Sequence, residues 1–155
     1  MHKTNAMRIL ESHKIPYEYF EYEVDEDELS GITVAKKINA KPDEVFKTLV
    51  ALGDKGGYSV FCIPVEFELD FKKAASVSNN KSVQLIKLKD LKTITGYVRG
   101  GCSPIGMKKQ FPTFIDESAQ LFDKIFVSAG VRGIQLLISP TDLRNLINAK
   151  FADLI

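Results

Sequence analysis

The stretch Val45-Phe46-Lys47-Thr48-Leu49-Val50 sets a lysine and a threonine inside an apolar run that reads as a buried strand. A lysine is almost never fully buried unless it is paired or at work, so Lys47 either snorkels to the surface or points into a polar site. The run continues to Leu52 and meets Gly53-Asp54-Lys55-Gly56-Gly57, a hairpin turn. Tyr58-Ser59-Val60-Phe61-Cys62-Ile63 is then the return strand, apolar enough for a sheet interior. Two later segments bear on the lysine. Gly96-Tyr97-Val98-Arg99-Gly100-Gly101-Cys102-Ser103-Pro104-Ile105-Gly106 and Val127-Ser128-Ala129-Gly130-Val131-Arg132-Gly133 each put glycines, a hydroxyl and an arginine at the end of a strand-like run, where backbone amides can face a ligand. These three segments could close on one pocket; the plainer alternative is a set of tight turns beside a solvated lysine.

A chain of 155 residues fits one domain spanning 1–155, long enough to bury a core without staples. Two cysteines, Cys62 and Cys102, lack C-x-x-C spacing, and with only two histidines they offer neither a disulfide framework nor a metal site. A reducing cytoplasm is the expected location, since no export signal or membrane-spanning run is present. The net charge of +1 argues against a strongly basic nucleic-acid binder, yet the charges are unevenly placed. Glu18 to Glu28 holds seven carboxylates and no base, leaving 21 bases against 13 acids elsewhere. A basic face can therefore coexist with a nearly neutral total.

Along the chain, Thr4 caps a first helix through Ala6, Ile9, Leu10 and His13, stopped by Ile15-Pro16. Tyr17 to Val24 alternates as a strand, with a phase slip between Tyr19 and Phe20 that predicts a bulge. Thr33 to Ile38 reads as a short helix, and Asp70 caps another through Val77. Val83 to Ile86 is a short strand and Leu88 to Ile94 a short helix. Phe111 to Asp116, Lys124 to Ser128 and Ile134 to Ile138 are further strands, and Ser139-Pro140-Thr141-Asp142 opens a last helix. About seven strands and five short helices in irregular order predict an α+β fold with a curled mixed β-sheet approaching a barrel and the helices packed outside.

The order and spacing of Tyr22-Glu23, Val45 to Leu49, Thr95-Gly96-Tyr97 with Gly100-Gly101 and Ser103 to Gly106, Phe114-Ile115-Asp116, and Val127 to Gly130 with Arg132-Gly133 resembles the YbaK family. These are free-standing Cys-tRNA(Pro) deacylases, related to the editing insertion of bacterial prolyl-tRNA synthetases. The resemblance extends to Ala149-Lys150-Phe151-Ala152-Asp153 and covers almost the whole chain. It implies an editing enzyme that removes cysteine from mischarged Cys-tRNA(Pro), with that tRNA and prolyl-tRNA synthetase as partners and no cofactor, metal or membrane. It carries the catalytic role to Lys47, and substrate-binding roles to Tyr22, Thr48, Gly100, Gly101, Ser128, Ala129 and Arg132. Two departures stand out: Leu29 or Ser30 replaces a phenylalanine after the acidic loop, and Cys102 replaces an aliphatic residue.

With histidines only at positions 2 and 13, the sequence offers no Ser/His/Asp or Cys/His arrangement. The family's implied answer is substrate assistance, in which the thiol of the attached cysteine attacks its own ester. Amides of Gly100, Gly101 and Ala129 are then candidate donors to the developing oxyanion, and Lys47 holds the terminal adenosine, its phosphate, or charge near the ester. Two other readings stay open: a hydrolase of another mischarged tRNA such as Ala-tRNA(Pro), and a non-catalytic module that binds a nucleotide or RNA.

Overall fold

The computed structural model describes residues 2–155. Among the described residues, four of the five α-helices begin where a short polar side chain satisfies an orphan amide. In α1 (Asn5–Ser12), α2 (Gly31–Lys37), α3 (Phe71–Val77) and α5 (Pro140–Leu146), the side chains of Thr4, Ser30, Asp70 and Ser139 accept from the N–H groups of Met7, Thr33, Lys73 and Asp142. The Ser30 cap starts α2 earlier than the sequence pattern suggests. The expected helix from Leu88 divides into a 3-10 turn, Leu88–Asp90, and α4 (Leu91–Thr95), which ends on Gly96 at φ 89°. That left-handed cap is a conformation glycine adopts without strain.

Eight strands form two sheets. β1 (Glu18–Glu21), β7 (Ile134–Ile138) and β6 (Ile125–Ser128) make an antiparallel three-stranded sheet in that order. The larger sheet runs β4 (Val83–Leu85), β2 (Phe46–Gly53), β3 (Tyr58–Pro64), β5 (Thr113–Asp116) and β8 (Lys150–Ala152). It is mixed: the β2–β3 hairpin and β2–β4 are antiparallel, while β3–β5 and β5–β8 are parallel. One parallel bridge, Val45 to Phe126, ties the sheets together, so the α+β architecture curls toward a barrel without closing.

Two local expectations are corrected. No bulge interrupts β1, which pairs residue for residue with β7 from Glu18–Leu137 to Glu21–Ile134. The two aromatics simply take opposite faces: Phe20 packs edge-on to Phe126 at 5.4 Å, while Tyr19 stays exposed. The added strand is β8, three residues long and lying at the sheet edge. So short a segment carries no usable alternation.

The main core joins both sheets, with Met7 and Leu10 of α1 and Leu143 of α5 packed onto Phe46, Val50, Cys62, Ile115, Val127 and Leu136. A second cluster on the other face of β2–β3–β5 contains Phe61 stacked on Phe114 at 5.6 Å, with Leu69, Ala74 and Leu154. Asp116 closes this side. Its buried carboxylate accepts from the N–H groups of Leu154 and Ser118, fastening the chain end to β5.

Candidate active site at an open strand edge

β3 covers one edge of β2 from Phe46 to Leu52. The other edge is covered only at its ends, by the Val45–Phe126 bridge and by β4 at Ala51–Gly53. Lys47, Thr48 and Leu49 lie in the gap. Successive side chains of a strand point to opposite faces, yet Phe46, Lys47, Thr48 and Leu49 all line one cavity of about 390 Å³. The open edge lets that cavity reach both faces. The main chain is exposed there too. Val50 C=O faces the β4 side, where it accepts from Ile86 N–H, and alternate residues share that direction. The Thr48 N–H and C=O therefore face the gap.

Of the residues singled out from sequence, Lys47, Thr48, Gly100 and Ser128 line this cavity. Lys47 is half-buried, and its pKa is lowered by that desolvation, with Glu68 pulling weakly the other way. Among the described residues its ammonium forms no ion pair. Thr48 Oγ1 lies 4.0 Å from Cys62 Sγ. Ser128 Oγ accepts from Gly130 N–H at 3.1 Å, which leaves its own proton free to donate.

Tyr22, Gly101, Ala129 and Arg132 are not cavity-lining. They frame it. Tyr22 N–H donates to Gly133 C=O, tying the end of β1 to the second glycine-rich loop, and Arg132 Nε donates to Arg99 C=O at 2.8 Å, pinning the two loops together. A Cβ at Gly101 would sit 3.1 Å from the Val131–Arg132 peptide, so the loops meet backbone to backbone. The amides of Gly101 and Ala129 are already committed, to Val98 C=O and Ile134 C=O. The expectation that they donate to an oxyanion is thereby corrected; the Gly100 amide, at φ 84°, has no partner among the described residues.

The rest of the lining includes both residues read from sequence at the position after the acidic loop, Leu29 and Ser30. Leu29 supplies the apolar wall over Gly100, its Cδ2 lying 3.4 Å from where a Cβ there would stand, whereas Ser30 is occupied as the α2 cap. Arg99 and Leu88 are exposed at the mouth, Leu91 is a buried part of the wall, and Gln135 lies deep inside, the antiparallel partner of Ser128. Gln135 did carry a faint signal, a polar residue within the apolar run of β7. Cys102 also lines the cavity, but burial pushes its thiol up to about 11. It is thus protonated near neutrality and poor as a nucleophile. No Asp, Glu or His lines the cavity, and no cluster of His, Cys, Asp or Glu suited to a metal exists among the described residues.

Three comparisons bear on this arrangement. A protein of Enterococcus faecalis provisionally named Cys-tRNA(Pro)/Cys-tRNA(Cys) deacylase EbsC is 51% identical over 152 residues, covering 98% of this chain and 93% of the relative. A solved structure described provisionally as a trans-editing enzyme for prolyl tRNA synthetase superposes with a TM-score of 0.81 at 22% identity, covering 99% of this chain and 98% of the other. The solved structure of a hypothetical protein gives a TM-score of 0.86 at 20% identity, covering 95% and 96%. These two structures share the fold. Residues 29–146, which contain the whole cavity lining, match the aminoacyl-tRNA editing domain model, and the chain belongs to that family.

Proposed function

We propose that this chain is a trans-acting editing deacylase that removes cysteine from mischarged Cys-tRNA(Pro) by substrate-assisted attack. The observation carrying the reading is a cavity that holds a half-buried lysine, hydroxyls and a free glycine amide but no general base or ionised nucleophile. The high identity to a relative named for this substrate supports the choice of amino acid.

In the proposed reaction the substrate's sulfur forms a bond to its own ester carbonyl carbon. The C–O bond to the ribose then breaks, the ribose oxygen takes a proton, and a cyclic thiolactone leaves. An intramolecular attack asks mainly for orientation, worth roughly 7 kcal/mol or more when partners are well placed. Lys47 and the Gly100 amide suit the negative charge that develops at the ester. Alanine and serine would enter the same cavity, since a small group changes binding by only about 1–3 kcal/mol. Neither supplies a thiol, and a serine hydroxyl would need a base that the lining lacks.

Tyr22, Gly101, Ala129 and Arg132 act in this scheme by fixing the loops around the substrate, and prolyl-tRNA synthetase is the proposed partner that presents the tRNA. The test is product analysis on Cys-tRNA(Pro) alongside Ala-tRNA(Pro). Rapid release of thiolactone from the cysteine ester, with the alanine ester left intact, is the expected result. Free cysteine formed with solvent oxygen in its carboxylate and no thiolactone would instead support a hydrolase.

A further inference from the structure

Gln135 is the buried polar group that the scheme above leaves unused. It is 6% exposed, lines the cavity, and its side-chain oxygen Oε1 has no hydrogen-bond partner. A buried amide oxygen left unpaired is costly, so a side chain kept in that state at a cavity wall is matched to a donor that arrives with the ligand. Depth identifies which part of the ligand that is. Gln135 is the strand partner of Ser128, and Ser128 and Cys102 in the same lining are only 8% and 9% exposed, whereas Arg99 and Leu88 at the mouth are open to solvent. A tRNA cannot be buried, so the aminoacyl group leads, and it alone reaches the bottom.

Within an aminoacyl ester the carbonyl and ester oxygens only accept hydrogen bonds, and a thiol is a weak donor. The α-amino group is the strong donor. The lining contains two cations, Lys47 and Arg99, and no carboxylate, so a neutral acceptor has to meet this amine. We infer that Gln135 Oε1 accepts a hydrogen bond from the α-amino group of the bound aminoacyl ester, fixing the rotation about Cα that sets the side chain against the ester carbonyl. This assignment rests on the aminoacyl-ester reading of the cavity. It makes Gln135 a substrate-binding residue that selects for an α-amine and leaves the bond-breaking steps to other groups.

The test uses a non-cleavable amide-linked cysteinyl-adenosine and its desamino counterpart, 3-mercaptopropionyl-adenosine, titrated calorimetrically. Wild type is expected to bind the amine-bearing probe about tenfold or more tightly, the preference set by one hydrogen bond to a charged or strongly polar donor. Gln135→Met, similar in length but without an acceptor, should level the two affinities. Gln135→Glu, which restores an acceptor, should keep the preference, and it guards against a Met variant that packs differently. Equal binding of both probes by wild type, or a preference that survives in Gln135→Met, overturns the assignment. Binding of neither probe overturns it together with the proposed function. A wild type that prefers the amine yet fails to deacylate Cys-tRNA(Pro) refutes the proposed reaction and leaves Gln135 as the amine site.

Discussion

Lys47 holds its charge against its surroundings. Burial lowers its pKa in the folded chain relative to an ordinary lysine, so the unfolded state binds its proton more firmly and the charged ammonium detracts from stability. Stability therefore rises as pH climbs through the interval from the lowered folded value to the ordinary one near ~10.4. Replacing the group by an uncharged stem, Lys47→Met, should leave the melting temperature unchanged or higher while cutting deacylation about 100-fold or more, the range seen when one charge-stabilising donor is lost. Melting and turnover measured on one preparation check both halves; a variant that melts much lower would make the lysine structural. The same shift predicts a pH profile. Activity should rise as the substrate thiol ionises near ~8.5 and decline as Lys47 loses its proton, at a pH below that of a free lysine. Cys102 gives the opposite expectation. Its thiol is held protonated by burial, so Cys102→Ala should keep activity within about threefold, and mass spectrometry should find no cysteinyl adduct on the wild type.

At the scale of elements, the site depends on what does not pair. β2 is legible from sequence as an apolar run with a lysine in it, and its hairpin with β3 follows from the Gly53–Gly57 turn. The gap between the Val45–Phe126 bridge and β4 is set by tertiary placement of strands distant in the chain, which no local pattern encodes. Local motifs single out Lys47, Thr48, Gly100 and Ser128, which line the cavity, while the exposure of the Thr48 main chain and the depth of Gln135 are not legible in sequence. The commitment of the Gly101 and Ala129 amides was equally hidden, since their acceptors are decided by loop conformation. Asp116 shows the converse, a motif residue whose contacts are structural: it accepts from Leu154 and Ser118 on the side of the sheet packed by the second core cluster. Asp116→Ala would strand two amides and free the chain end, and the expected cost is about 2–4 kcal/mol, because hydrogen bonds to a charged acceptor are the stronger kind. Denaturant titration should show that loss. The remaining folded fraction should keep its specific activity, as the carboxylate does not line the cavity.

Over the whole molecule, the charge asymmetry in the sequence becomes a two-sided rim. Leu29 in the lining follows directly from the acidic run Asp25 to Glu28, whose Glu26 lies 3.8 Å from Arg132, while Leu88, also in the lining, is flanked by exposed Lys87 and Lys89. A single-stranded acceptor end entering amino acid first would be repelled from the acidic side and drawn toward the basic one, which orients it without much net attraction. If about three cations meet phosphates, the logarithm of affinity should fall with the logarithm of salt at a slope near −2, at about 0.7 per contact for a single strand. With so few contacts, binding to free tRNA is expected to be weak and indifferent to its sequence, and in the proposed function selection for tRNA(Pro) would come from a partner already holding that tRNA, with prolyl-tRNA synthetase the proposed candidate. Titrating tRNA(Pro) and a non-cognate tRNA at two salt concentrations, with and without the synthetase, measures this. Weak, salt-sensitive, unselective binding by the chain alone that becomes selective when the synthetase is added is the expected outcome. Tight, tRNA(Pro)-selective binding without it would mean that the rim reads the tRNA itself.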